Sequence, residues 1–306
     1  QIAGGINFRA SARWCRLSKI SLRSAGDSVT DDTLQCLSQC CMRDDKIACT
    51  VTCNIEDGNR WRAPVPLRIL EINSRNVSDA AIRSFLRARA DASLVVLSMA
   101  RCRSVRESET FKMIGDLYPY LQDLDLSDCA VGGCLPASQP RVLSLWASQQ
   151  RREVHHMDST TLASIVSQCG QHLKRLNIKN CLAIDDTGVL NTLRLCTGGL
   201  TSFDVGGEAP LLWRITSNSV LALITSPSRT SLTALSLRGC RDIQGDGVAA
   251  LAGLTALRDL NLAAVSGVHD ASVASMCRSY GSGRGVRGLL RVNFSSCLEL
   301  GIEGLR

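Results

Sequence analysis

Fifteen cysteines and four histidines are the residues of this 306-residue chain with the most chemistry in them. Cys40, Cys41, Cys49 and Cys53 put four thiols within 14 residues, enough ligands for a tetrahedral zinc ion. Their spacing departs from paired C-x2-C, and Cys40 falls at the end of an expected helix, as Cys169, Cys196 and Cys277 do, so packing is the better account. His155, His156, His172 and His269 show no H-E-x-x-H spacing, and the adjacent pair would face opposite ways on a strand. Neither a phosphate-binding G-x-x-x-x-G-K-S/T loop nor a G-x-S-x-G nucleophile turn occurs. The run Gly281 to Gly288 contains G-x-G-x-x-G, but it follows an expected helix and leads into a strand, the reverse of a dinucleotide fingerprint. The expectation is a chain without catalytic residues, metal or cofactor, whose polar residues serve binding.

Where those residues sit depends on the elements that carry them. Leu173-Lys-Arg-Leu176-Asn-Ile178-Lys-Asn-Cys181 fits L-x-x-L-x-L-x-x-C, and Leu176 and Ile178 alternate with polar residues as in a strand buried on one face. Ile184-Asp-Asp-Thr-Gly188-Val189 then reads as a turn and a helix start. The template recurs with first positions at Leu17, Leu67, Leu94, Leu121, Pro140, Leu173, Leu200, Leu232, Leu257 and Leu289. Three of the nine spacings are 27 residues, within the range of leucine-rich repeats, and the longer ones leave room for insertions. The 19-residue step from Leu121 to Pro140 is too short for a strand, a helix and two turns. Gly132, Gly133, Pro136 and Pro140 suggest an extended crossing of the convex side there.

Cys102, Cys129, Cys181, Cys240 and Cys297 all take the ninth template position, and helices open with Val29-Thr-Asp-Asp-Thr-Leu34 and Val77-Ser-Asp-Ala-Ala-Ile82. In these features the chain resembles the cysteine-containing leucine-rich repeats of F-box proteins and related cytosolic scaffolds, from Leu17 to Arg306. The resemblance implies an α/β solenoid, a horseshoe with a parallel sheet on its concave side and helices on its convex side. It is specific for fold and weak for function. No F-box is visible in the sequence.

A solenoid of this kind projects template positions three, five and seven from the sheet. The fifth-position row, Ser21, Glu71, Ser98, Asp125, Ser144, Asn177, Asp204, Ser236, Asn261 and Asn293, is small and polar and lacks the aromatics of a single-strand nucleic-acid platform. The seventh-position row holds Trp146 beside Arg23, Lys179 and Arg238; Trp146 reads equally as a binding anchor or as a gap filler at an irregular junction. Insertions bring Arg151 and Arg152 with His155 and His156 to one loop, and Pro210, Trp213 and Arg214 to another, with Lys174, Arg175 and Lys179 between them. Together Trp146, Arg151, Arg152, Lys174, Arg175, Lys179, Trp213 and Arg214 form the expected contact corner for a protein partner. Asp123, Asp125 and Asp128 offer the opposite sign.

The expected organisation is an arm or partial repeat at 1–16 and a repeat domain at 17–306 of about ten repeats, with insertions at 42–66, 149–157, 209–214 and 278–288. An odd number of cysteines, no secretory leader and no apolar span of about 18 residues favour an intracellular reducing compartment, the cytoplasm over an organelle, and no membrane partner. Residues 1–106 carry 17 Lys and Arg against 10 Asp and Glu, while the other 200 are balanced. That third could meet nucleic acid or an acidic protein, though Arg75, Arg83, Arg87 and Arg89 also read as a solvated helix exterior. The start at Gln1 and the close at Gly301-Ile-Glu-Gly-Leu-Arg306 suggest part of a longer protein, or ends that partners cover. A subunit of a large assembly is the first expectation. The substrate-recognition arm of a ubiquitin ligase is the second and an RNA-contacting scaffold the third.

Overall fold

Apolar residues at template positions one, four and six build a row of three-residue strands, each but the last with one face buried in the core. The computed structural model describes residues 18–42, 66–89, 92–129, 157–208, 214–281 and 288–301. Its strands are β1 (Lys19–Ser21), β2 (Ile69–Glu71), β3 (Val96–Ser98), β4 (Asp123–Asp125), β5 (Arg175–Asn177), β6 (Ser202–Asp204), β7 (Ala234–Ser236), β8 (Asp259–Asn261) and β9 (Arg291–Asn293). They form one parallel sheet in chain order. Eight α-helices alternate with them: α1 (Asp31–Met42), α2 (Asp79–Ala88), α3 (Ser108–Leu117), α4 (Ser159–Cys169), α5 (Asp186–Leu195), α6 (Ser217–Thr225), α7 (Gly245–Ala250) and α8 (Asp270–Gly281). Each packs on the next, so the core is a continuous slab between sheet and helix row. The expected α/β solenoid is what the chain forms.

One repeat shows how the sequence does this. Leu173, Leu176 and Ile178 are buried from the strand side, and Val189 and Leu193 from the helix side. Between them Asp185 caps α5, its carboxylate accepting from the Gly188 amide at 2.9 Å, one of the donors a helix start leaves open. The strand ends by a second device. Asp125, Asn177, Asp204, Asn261 and Asn293, all at the fifth position, accept with a side-chain oxygen from the amide two residues on, at 2.9–3.2 Å. Three residues after the fifth the backbone turns left-handed, with positive φ at Arg101, Asp128, Asn180, Gly239, Ala264 and Ser296.

Neighbouring repeats are tied at the helix starts. The Asp31 carboxylate accepts from the Ser78 amide at 2.7 Å and its hydroxyl at 2.6 Å. Asp79 does the same for Arg106, Glu107 and Thr110, and Asp186 for Thr216 and Ser219. Asp270 accepts from the Gly301 amide at 2.7 Å. The acidic residues that open α1, α2, α5 and α8 are thus bolts to the following repeat, which is why D, S and T recur there in the sequence.

The structure corrects one part of the repeat count. Leu124 of β4 is registered directly on Leu176 of β5, and α3 packs on α4, so the template match at Pro140 supplies no strand between them. The residues between β4 and α4, 130–156, lie outside the described residues. The match at Leu143 and Leu145 kept the apolar spacing without the length that a strand and helix require.

Candidate protein-interaction surface

The outward face of the sheet is charged, and its charges are organised in register. Asp123 and Arg175 stand at the same template position on adjacent strands and form an ion pair at 2.8 Å. Asp259 and Arg291 repeat the arrangement, with two bonds at 2.5 and 2.8 Å. Glu71 meets Lys19 at 3.8 Å and Arg23 at 3.3 Å, and Arg23 also reaches Asp125 at 3.8 Å. These pairs are open to solvent and screened by it, so each contributes little to stability singly. Their effect is to fix which charges face a partner.

The expected corner is divided by this geometry. Lys174 precedes β5 and donates to the carbonyls of Gly198 at 2.6 Å and Gly199 at 3.5 Å, closing the turn after α5. Arg175 is exposed on the sheet face, bound to Asp123. Lys179 lies beyond the other end of β5, on Glu208 at 3.2 Å. Arg214 is exposed just before α6, its carbonyl accepting from the Asp186 amide at 3.2 Å. Lys179 and Arg214 therefore share the edge where strands lead into helices, while Lys174 sits on the opposite edge. Trp146, Arg151, Arg152 and Trp213 lie outside the described residues, as do Cys49, Cys53, His155, His156 and most of the glycine-rich run.

Two surface features escaped the sequence reading. Tyr120, 57% exposed, packs its ring on His172 with centroids 5.2 Å apart, at the edge where helices lead into strands. The Asp123–Arg175 pair was readable only once the Pro140 match was removed from between them. The alternating sign at one template position was the signal.

The ninth-position cysteines are part of the scaffold. The thiol of Cys129 donates to the Met99 carbonyl at 2.8 Å, that of Cys181 to Leu126 at 3.2 Å and that of Cys297 to Leu262 at 3.2 Å. In each case the acceptor is the sixth position of the preceding repeat, so the thiol packs between two repeats and bonds across the joint. Burial pushes the Cys102 thiol up to about 11 and that of Cys240 to about 12, which keeps both protonated. Replacing Cys181 by Phe is expected to cost about 1–3 kcal/mol by overpacking two repeats at once. Urea melts of the variant against the parent measure this, and an unchanged midpoint would mean the joint has spare room.

Among the described residues no helix is long and apolar enough to cross a membrane, and no group of three or more His, Cys, Asp or Glu is placed to hold a metal ion. Repeats of this geometry make a solenoid of the leucine-rich repeat type. A leucine-rich repeat family model matches residues 229–252, the unit of β7 and α7. The fold is similar to a chain in the crystal structure of the Rad7 and Elc1 complex in yeast, with a TM-score of 0.53 and 14% sequence identity. That match covers 90% of this chain and 62% of the other, so the chain spans less than two thirds of its neighbour. No curated protein sequence matches.

Proposed function

We propose that the chain is a non-enzymatic protein-interaction scaffold, a structural or assembly subunit of a larger complex. The observation that carries this reading is the uninterrupted nine-strand face, whose charges are held in register and turned outward. A structural neighbour determined as a complex of two proteins supports the same reading. Arg175, Lys179 and Arg214 are the described members of the contact set, with Trp146, Arg151, Arg152 and Trp213 completing it. Thiols kept protonated by burial, as at Cys102 and Cys240, support packing over nucleophilic chemistry, and their burial without a disulfide supports a reducing compartment.

Purification of the full-length protein from its own cells at moderate salt, followed by mass spectrometry, tests this. A fixed stoichiometric set of partners is expected. Elution of the protein alone would remove the scaffold reading, and recovery of a ubiquitin-ligase adaptor and cullin with variable further proteins would replace it by a substrate receptor.

A further inference from the structure

The sheet face is not evenly filled. Across β6 to β9 lies a depression of about 350 Å³, floored by Ser202, Ala234, Ser236 and Asn261 and walled by Asp204 on one side and by Asp259 with Arg291 on the other. Small residues on three neighbouring strands leave room there for one long side chain of another molecule. Of the carboxylates on the described strands, Glu71, Asp123, Asp125 and Asp259 each have an Arg or Lys partner. Asp204 has no ion-pair partner among the described residues. It accepts from the Gly206 amide at 2.9 Å and from the Ser236 hydroxyl, and the cation whose field reaches it, Lys179, is held by Glu208.

We propose that this depression takes a basic side chain, Arg or Lys, from a protein partner, with Asp204 as its counter-charge. The inference rests on the scaffold reading above and adds the chemistry of the group captured. A half-buried carboxylate left without a cation is costly unless something supplies one, and burial pushes the Asp204 carboxyl above its ordinary value despite its hydrogen bonds. The opposite wall already shows the interaction in miniature, because Asp259 holds the Arg291 guanidinium with two bonds. A protein segment is the fitting source, since the depression opens on the surface along which neighbouring pairs, Asp123–Arg175 among them, can engage the rest of the chain it belongs to.

Asp204→Asn isolates the charge. Asn stands at the same template position at Asn177, Asn261 and Asn293, each making the same bond to the amide two residues on, so the variant keeps the strand end. The probe is a blocked Gly-Ser-Arg-Ser-Gly pentapeptide, with its lysine and citrulline counterparts, titrated into the labelled full chain while the amide resonances of Gly206, Ser236 and Asn261 are followed. The arginine and lysine peptides are expected to shift them and to bind at least about tenfold more tightly than citrulline, a difference that Asp204→Asn abolishes. Equal response to arginine and citrulline, unchanged binding by Asp204→Asn, or no response at these amides overturns the proposal. Partner capture from cells with no peptide response would leave the scaffold reading standing and this one refuted; a peptide response without any captured partner would do the reverse.

Discussion

Asp79→Ala is expected to lose about 2–4 kcal/mol of stability, and to lose it at one joint of the solenoid. The carboxylate accepts from the Arg106 amide at 2.8 Å, the Glu107 amide at 3.1 Å and the Thr110 hydroxyl at 2.6 Å. Asp79 and Thr110 are both buried, so the methyl group of alanine leaves donors that water cannot easily reach. All three donors belong to the next repeat, which means the cost falls on the interface between repeats two and three and not on either repeat alone. In a stack of nearest-neighbour interfaces, weakening one uncouples what lies on each side of it. Urea unfolding should therefore broaden, with a smaller m-value as the first two repeats melt ahead of the rest. A single sharp transition displaced by less than about 0.5 kcal/mol would show that the bolt is redundant. Asp79→Asn keeps one acceptor oxygen and should fall between the two.

The same joint explains how much of this fold the sequence could disclose. Strand positions were legible because apolar residues at template positions one, four and six repeat in a period that no other element shares, and because those from β2 to β8 are buried in the structure. The match at Pro140 failed because spacing of apolar residues is a local property, whereas membership of the sheet depends on chain length between neighbours. Pairing of β4 with β5 was accordingly hidden, and with it the Asp123–Arg175 contact. The bonds of Lys174 were hidden for a related reason. A lysine next to a strand reads as surface charge, and only the three-dimensional turn after α5 brings the Gly198 and Gly199 carbonyls to its amine. The fifth-position row was seen as polar, but not that its Asp and Asn residues close the strand ends, since that depends on side-chain direction.

Gly239→Val is expected to be the most damaging change on the outward side of the sheet, about 3–5 kcal/mol, because two costs coincide at one backbone position. Its φ of 75° is left-handed, a conformation that a β-branched residue adopts only under strain. A Cβ there would also stand 2.5 Å from the Gly207 carbonyl oxygen, backbone against backbone, so no rotamer relieves it. Relief requires the turn to move. That turn is bonded on both sides, the Gly207 amide donating to the Arg238 carbonyl at 2.7 Å and the Gly239 amide to Ala263 at 2.8 Å. Displacing it shears the repeats of β6, β7 and β8, the strands that floor the depression beside Asp204. The variant should therefore lose arginine-peptide binding along with stability, whereas Asp204→Asn loses binding alone. Ala264→Gly is the control for conformation without crowding. It removes the left-handed strain of a residue at φ 57°, offset by the greater freedom of glycine in the unfolded chain, and should lie within about 0.5 kcal/mol of the parent. If Gly239→Val unfolds no earlier than Ala264→Gly in parallel thermal melts, the Gly207 carbonyl yields to a side chain as its counterparts do at Arg101, Asp128, Asn180, Ala264 and Ser296, and the glycine is not what holds these three repeats in register.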